Sequence, residues 1–360
     1  MLGGYQIIDG DAHVFEPPEM WKEYLEPEFK KFAPSSELMI QGKKIYRNMS
    51  SQVSSNEGQQ ILKKHPDSVL TRFNSESQVQ ALKAMGVDVA FQYPSHGLWI
   101  LGVDTMPPNL ASAFTRAYNN WLKDFCSYAP EFLKGVGAIN LHEPETMISE
   151  LQRVASFGWT AVCLLPNPVK GRILSHPQYA SFWQACEEMN MAVALHTAAH
   201  AQVPTVGDTR FQTRFALHTC AHPMEQMMAL LAVIEGGVLE QHPNLKMGFL
   251  ESGCGWLPYW LWRMDEEYDN LYWEVKSKIK KKPSEYFRRQ CFISFEPSEP
   301  CMEHFVEVLG WKNLIFGSDY PHVDHNPSIV SDAVSLDSRL TKQAVKEILW
   351  DNAAHFYGLS

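Results

Sequence analysis

The chain of 360 residues has no hydrophobic run long enough to cross a bilayer and no closely paired cysteines. Its longest unbroken apolar stretch, residues 227–234, is far shorter than the roughly 20 residues of a transmembrane helix. Residues 1–4 show neither the positive nor the long apolar region of a signal peptide. The seven cysteines include no C-x-x-C pair, and Cys163 and Cys291 lie in apolar runs. We therefore expect a cytoplasmic protein with reduced cysteines and no membrane partner.

The chain also has fewer basic than acidic residues. The 31 lysines and arginines face 41 aspartates and glutamates, which gives a net charge of −10. Nucleic acids and anionic membranes favour basic surfaces, so neither is an expected partner. Hydrophobic residues make up 45 % and charged residues 20 % of the chain, as in ordinary globular proteins.

Strand-like and helix-like segments alternate along the chain. The eight apolar, strand-like runs are residues 6–8, 87–91, 136–139, 161–165, 192–195, 247–250, 292–294 and 314–316. The helix-like segments between them are residues 75–85, 111–128, 144–157, 179–189, 224–240, 257–268, 302–309 and 341–349. Parallel strands need helical crossovers, so this order predicts an α/β fold, a (β/α)₈ TIM barrel formed by a single domain over residues 1–360. Residues 16–72 are expected to form a long excursion after strand 1, over the barrel mouth.

The first strand leads into the polar cluster Asp9-Gly10-Asp11-Ala12-His13. Alternate side chains of an extended segment share a face, so Asp9, Asp11 and His13 are expected to converge at one point. Carboxylate and imidazole ligands suit a borderline divalent metal such as zinc, manganese or iron.

Four further strands are each followed by an ionisable residue. These residues are His196 after strand 5, Glu251 after strand 6, Glu296 after strand 7 and Asp319 after strand 8. Barrel enzymes place their chemistry at the carboxyl ends of the strands. One such residue could be a hydrogen-bonded core side chain, but several charges are rarely buried together without compensation. The pattern therefore predicts a metal ion at the barrel mouth.

These residues resemble the amidohydrolase superfamily, in the branch of aminocarboxymuconate-semialdehyde decarboxylase and related metal-dependent hydrolases. The segments that carry the resemblance are Ile8-Asp9-Gly10-Asp11-Ala12-His13, Glu16-Pro17-Pro18, Ala194-Leu195-His196, His242-Pro243-Asn244-Leu245-Lys246, Leu250-Glu251-Ser252-Gly253 and Gly317-Ser318-Asp319-Tyr320-Pro321-His322. The resemblance implies metal ligands at Asp11, His13, His196 and Asp319. Asp11 replaces the first histidine of the common His-x-His pair, as in related decarboxylases. Glu251 stands where the decarboxylases of this branch usually have a proton-handling histidine.

Three reactions are compatible with these residues. A metal-dependent hydrolase would use a metal-activated water, with Glu251 or Asp319 as the base. A non-oxidative decarboxylase of a small organic or aromatic acid would need a proton donor such as His218, His222 or His322. A dinuclear iron or manganese oxygenase would use Glu251 as a third carboxylate ligand.

Each reaction predicts its own set of ions and partners. Zinc is the expected metal for hydrolysis or decarboxylation, and iron or manganese, as one or two ions, is the alternative. For a two-ion centre, His322 and Glu296 would be additional ligands. A further alternative is a supporting subunit of a hetero-oligomeric enzyme. The substrate in every case is a small molecule.

Three features have more than one interpretation. His218 and His222 are four residues apart, a spacing at which two histidines can share a helical face as metal ligands. Pro223 disfavours a helix before it, so we expect instead one histidine in a loop and the other at a helix start. His222 is the better catalytic candidate of the two. Asp9 is either a ligand or a residue that orients the ligands. The aromatic residues between positions 256 and 273 favour an oligomer interface, in a homodimer or with a related subunit.

Overall fold

The computed structural model describes residues 1–34, 37–40, 43–47, 56–198 and 204–359. Eight barrel strands occur in the expected order, the third of them in two short pieces. They are β1 (Ile8–Val14), β2 (Val89–Pro94), β3 (Leu133–Gly135 and Gly137–Ala138), β4 (Ala161–Leu164), β5 (Ala192–Leu195), β6 (Met247–Phe249), β7 (Cys291–Phe295) and β8 (Leu314–Phe316). All neighbours within these sheets pair in parallel. A separate antiparallel hairpin, Glu37–Ile40 with Lys43–Arg47, lies between β1 and β2.

The strands form two sheets that meet along two seams. One sheet has the order β1-β2-β3, and the other runs from β8 through β4 to the second piece of β3. At the first seam β3 changes partner, because Val136 N donates to Gln92 O and Ile139 N donates to Cys163 O. At the second seam Asp319 N donates to Asp11 O, at 2.8 Å. The first and last strands are therefore neighbours, although 299 residues separate them.

The helices lie between successive strands and at the chain ends. They are Pro18–Tyr24, Asn56–Lys64, Pro66–Leu70, Ser75–Met85, His96–Leu101, Pro108–Cys126, Pro144–Ala155, Ala180–Glu188, Arg214–Glu235, Val238–Gln241, Leu257–Val275, Pro283–Gln290, Met302–Leu309, Ile329–Ser335, Lys342–Lys346 and Asn352–Tyr357, with short 3₁₀ turns at Lys30–Phe32, Pro177–Tyr179 and Leu336–Ser338 and a π-helical turn at Glu347–Asp351. Ser75–Met85 and Met302–Leu309 begin and end where the sequence pattern predicts. Across the described residues, no helix combines the length and apolar character needed to cross a membrane.

The prediction for the helix after β5 is wrong at its start. The pattern predicts a helix that begins after Pro223, whereas the structure has one helix over Arg214–Glu235 with Pro223 inside it. Thr213 caps the helix, since its hydroxyl oxygen accepts a hydrogen bond from Ala216 N. A proline removes one internal hydrogen bond, but this cap holds the first turn, and the buried face of the helix begins at Ala221, before the proline. His218 and His222 consequently lie on a helix and not in a loop.

The excursion begins at Glu16, whose carboxylate is buried, and it later contacts the loop that follows β8. Glu16 accepts hydrogen bonds from the backbone N–H groups of Ser95, His96 and Gly97, at 3.1, 2.9 and 3.0 Å. Further along, Lys64 donates to the carbonyl oxygens of Val323 and His325. These contacts hold helix Asn56–Lys64 beside the carboxyl ends of β1, β2 and β8.

The long helix Leu257–Val275 carries several exposed aromatic side chains. Tyr259, Trp262 and Trp273 are each more than half exposed. Such a surface is typical of a contact with another chain. The subunit interface at this helix stays a prediction.

Candidate metal centre

Strand β1 delivers Asp11 and His13 to the barrel mouth but turns Asp9 away from them. The pairing of β1 with β2 shifts register between Asp9 and Ala12, as at a β-bulge. Asp9 instead accepts hydrogen bonds from the backbone N–H and the hydroxyl of Ser318, at 2.9 and 2.5 Å. The pKa of Asp9 is raised to about 6, because burial raises it by more than the hydrogen bonds from Ser318 lower it. The expectation that all three side chains converge is therefore wrong for Asp9, which joins β1 to the end of β8.

Three buried side chains direct unpartnered atoms at one another. Nε2 of His13 lies 3.5 Å from Oδ1 of Asp11, and Nε2 of His196 lies 3.6 Å from the same oxygen. Within the described residues, these three atoms make no hydrogen bond. Buried polar atoms are nearly always hydrogen-bonded, so three unpaired atoms at one point indicate a binding site for an ion.

The two histidines are held in one orientation by backbone carbonyls. Nδ1 of His13 lies 3.0 Å from Pro94 O, and Nδ1 of His196 lies 3.1 Å from Thr197 O. A ring nitrogen facing a carbonyl carries the proton, which leaves the lone pair on Nε2. Both imidazoles therefore present the atom that a metal ion would bind.

Asp319 completes this group from the end of β8. Its Oδ1 lies 3.5 Å from Nε2 of His13 and 2.5 Å from Nδ1 of His322. Asp319 has a φ of 53°, a backbone conformation that non-glycine residues rarely adopt. Gly317 allows the close approach of β8 to β1, because a Cβ at this position would lie 2.4 Å from Cβ of Asp11.

Glu251 reaches the same point from the end of β6. Its φ is 50°, and its backbone N–H donates to Oγ of Ser294 at 2.9 Å. Its Oε2 lies 2.7 Å from Nε2 of His196, without the geometry of a hydrogen bond. Such a short distance without a hydrogen bond is expected of two ligand atoms that bind the same ion.

The electrostatics of the group favour a cation. Burial raises the pKa of Asp11 to about 8, and burial also raises the pKa values of Glu251 and Asp319 well above their usual range. Burial lowers the pKa values of His13 and His196, so both imidazoles are neutral at pH 7. A divalent cation would lower the pKa values of these carboxylates again, because its positive charge stabilises their ionised form. The residues present therefore fit a divalent metal ion.

The remaining predicted site residues surround this group. His322 contacts Asp319 and, through Nε2, lies 2.7 Å from Oγ of Ser95. Nδ1 of His222 lies 2.8 Å from the backbone oxygen of Glu251, and His218 stacks on His222 with ring centroids 4.2 Å apart. Glu296 is exposed at the rim of the same opening.

A cavity opens beside His196 and Glu251 of this group. Its apolar walls include Phe15, Leu98 and Trp99, and Arg214 lies at its edge. Our sequence reasoning missed Ser95, His96 and Arg214. The first two directly follow strand β2, so the strand-end criterion applied to β2 would have found them. Arg214 is the first residue of a helix, and nothing in its local sequence marks it.

Comparison with known proteins identifies the family. The amidohydrolase family model matches residues 97–359. The chain belongs to the amidohydrolase family. The predicted family and its barrel fold are thus confirmed, together with an enzymatic role.

Three relatives illustrate the range of this amidohydrolase group. The chain is 25 % identical to 2-amino-3-carboxymuconate-6-semialdehyde decarboxylase of Dictyostelium discoideum, over 70 % of the chain and 68 % of the relative. An amidohydrolase structure from Mycobacterium avium subsp. paratuberculosis superposes with a TM-score of 0.75 at 19 % identity, covering 99 % of both chains. The 5-carboxyvanillate decarboxylase of Novosphingobium aromaticivorans, solved with manganese and 4-hydroxy-3-methoxy-5-nitrobenzoic acid, superposes with a TM-score of 0.74 at 20 % identity, covering 99 % of this chain and 97 % of that one.

Proposed function

We propose that this amidohydrolase is a metal-dependent, non-oxidative decarboxylase of a small aromatic acid. The observation that carries the proposal is the convergence of three unpartnered atoms, from Asp11, His13 and His196, beside a cavity that His196 lines. The related decarboxylases support the choice of reaction over hydrolysis of a C–N or C–O bond. Asp11, His13, His196 and Asp319 would hold the ion.

The bound ion would supply positive charge for an acidic oxygen of the substrate, which stabilises the negative charge that develops as CO₂ leaves. Two imidazoles and two carboxylates suit zinc, manganese or iron. Zinc is our first expectation from the ligand types, and manganese is the ion in one solved relative.

The lining of the cavity suits a flat acid. Phe15 and Trp99 offer aromatic faces, and the guanidinium of Arg214 attracts a carboxylate toward the opening. A buried aromatic wall also excludes water from the reacting carbon.

Decarboxylation requires a proton to replace CO₂. When the C–C bond breaks, its electron pair stays on the ring carbon and takes up that proton. Asp319 and His322 can hold this proton between them, since Oδ1 of Asp319 and Nδ1 of His322 are 2.5 Å apart and His322 lines the cavity. Ser95, 2.7 Å from the other ring nitrogen, fixes the orientation of the imidazole.

The test is CO₂ release from a panel of hydroxybenzoates and related acids by the metal-loaded protein. One CO₂ per protonated product is expected, under nitrogen as well as in air. Asp11→Ala should lower metal affinity by more than about 100-fold, since changing even an outer partner of a metal ligand costs 10–100-fold. His322→Gln should lower kcat with little change in KM. Consumption of O₂ without CO₂ release would reject decarboxylation.

A second candidate function is favoured by Glu251. Its carboxylate lies 2.7 Å from Nε2 of His196, where the resemblance leads us to expect a proton-handling histidine. A third carboxylate is the kind of ligand that bridges two iron or manganese ions. This interpretation predicts a dinuclear oxygenase. An oxygen electrode, read beside the CO₂ assay, separates the two functions.

A further inference from the structure

We propose that Lys64 is a positioning residue, which fixes the loop after β8 and thereby holds His322 in its place beside the cavity. The inference deepens the proposed function and rests on it for the role of His322 in proton transfer. Lys64 belongs to the excursion after β1, outside the strand ends that carry the candidate metal centre. The reaction would therefore depend on a segment that supplies none of the proposed ligands.

The sequence places Lys64 at the tip of its helix. Pro66 follows two residues later, and the residue before a proline disfavours the helical conformation. His65 accordingly has a φ of −134° and a ψ of 56°, and the helix ends at Lys64. Ile61, almost one turn earlier, is buried in an apolar cluster with Phe15. The helix is thereby anchored on the barrel, and Lys64 extends from a fixed support.

The ammonium group of Lys64 binds two carbonyl oxygens of the loop. Nζ donates to Val323 O at 2.5 Å and to His325 O at 2.7 Å. These carbonyls lie on either side of Asp324 in the chain, so the backbone is held at both ends of that residue. Hydrogen bonds from a charged donor are shorter and stronger than neutral ones. Residues 321–325 form neither helix nor strand, so this contact supplies order that secondary structure does not.

The loop that Lys64 holds carries residues of the candidate site. His322, Val323 and Asp324 line the cavity. Within the loop, His325 N donates to His322 O at 3.3 Å, and His322 N donates to Asp319 O at 2.9 Å. A shift of the two bound carbonyls therefore reaches His322 through a short turn of the chain. The 2.5 Å between Nδ1 of His322 and Oδ1 of Asp319 leaves little room for such a shift.

A separate contact of the excursion holds Tyr320, at the start of the loop. Oγ of Ser68 lies 2.8 Å from the phenolic oxygen of Tyr320, and both side chains are buried. The backbone oxygen of Tyr320 accepts a hydrogen bond from His13 N at 2.7 Å. Because these bonds do not involve Lys64, its removal should loosen residues 322–325 while the proposed metal ligands keep their places.

The experiment compares Lys64→Met, Lys64→Arg and Lys63→Met in the full-length, manganese-loaded protein. Methionine keeps an unbranched side chain but cannot donate, whereas arginine keeps the charge and the donors. Lys63 is the exposed neighbour on the same helix and provides the matched control. Hydrogen exchange with mass spectrometry reports on the amides of residues 319–326. Elemental analysis gives the manganese content, and CO₂ release gives kcat and KM for the hydroxybenzoate that the wild type converts fastest.

Lys64→Met should exchange faster in residues 322–325 and lose about 10- to 100-fold in kcat, since a misplacement of about 1 Å can cost about 100-fold. KM should change less than kcat, and the manganese content should stay the same. A purely stabilising tether would leave the kcat of the folded protein unaltered. Lys64→Arg should recover most of the loss, and Lys63→Met should behave as the wild type.

Three results would overturn the inference. They are unchanged exchange in Lys64→Met, faster exchange with an unaltered kcat, and an equal loss in Lys63→Met, which would assign the effect to the charge of the helix end. Faster exchange in Lys64→Met alone, with no CO₂ released from any acid by the wild type, would support the hold of Lys64 on the loop and reject decarboxylation.

Discussion

Two groups of side chains at the barrel mouth are built on different supports. Asp11 and His13 lie on a buried strand, and their positions are fixed by parallel pairing and by a carbonyl facing the imidazole. His218 and His222 lie on a helix, where His222 is buried and the side chain of His218 is 32 % exposed. The strand group is therefore coupled to the stability of the barrel, whereas His218 can change without unfolding it.

The largest effect is expected from Gly317→Ala, which acts on the strand group. The new Cβ would lie 2.4 Å from Cβ of Asp11, so β8 and β1 must separate. We expect a loss of about 1–3 kcal/mol of stability, as for other overpacked sites, together with loss of the proposed ion. Urea unfolding and elemental analysis measure the two effects.

Gly158→Ala is the matched control for this change. Gly158 has a φ of 83° and open space around it, so the substitution strains the backbone without contacting a ligand. Stability should fall while the metal content stays the same. Equal metal loss in both variants would mean that the strand group depends on general stability and not on the β1–β8 approach.

An intermediate effect is expected from Asp9→Ala. The substitution leaves the hydroxyl and the N–H of Ser318 without their acceptor, at a cost of about 1–3 kcal/mol. Ser318→Ala removes only the hydroxyl and should cost less. Urea unfolding of both variants checks the order, and a greater loss in Ser318→Ala would contradict the role assigned to Asp9.

The smallest effect is expected from Gln226→Leu, which acts on the helix group. Gln226 donates to the carbonyl oxygens of Leu195 and Leu250, and so ties the helix to the ends of β5 and β6. Stability should fall by about 1 kcal/mol, while the ion proposed at Asp11, His13 and His196 is kept. Gln184→Leu, at an exposed position, is the control. Loss of that ion in Gln226→Leu would show that the two groups are not independent.

The strand group could be predicted from the sequence, and the helix group only in part. The spacing of His218 and His222 offered a shared helical face, but Pro223 favoured a loop. Asp11, His196 and Asp319 each follow or end a short apolar run, which the alternation of strands and helices places at one edge of the barrel. Their convergence is visible without coordinates. The assignment of each residue as a ligand stays a prediction that metal analysis must test.

Two local features account for the errors. The β-bulge after Asp9 depends on the pairing of β1 with β2, which no single-sequence periodicity contains. The helix around Pro223 depends on tertiary contacts and on the Thr213 cap, which outweigh the local preference of proline. Both errors concern contacts between segments, and both changed the interpretation of residues at the mouth.

The hydrogen bond from Asp319 N to Asp11 O also has a consequence for biosynthesis. Ligands from the first and the last barrel strand meet in one place, so a growing chain on the ribosome contains no complete centre until β8 has emerged. Contacts between such distant residues form late and slowly. An ion held by these residues, as we propose, would bind only chains that have closed the barrel.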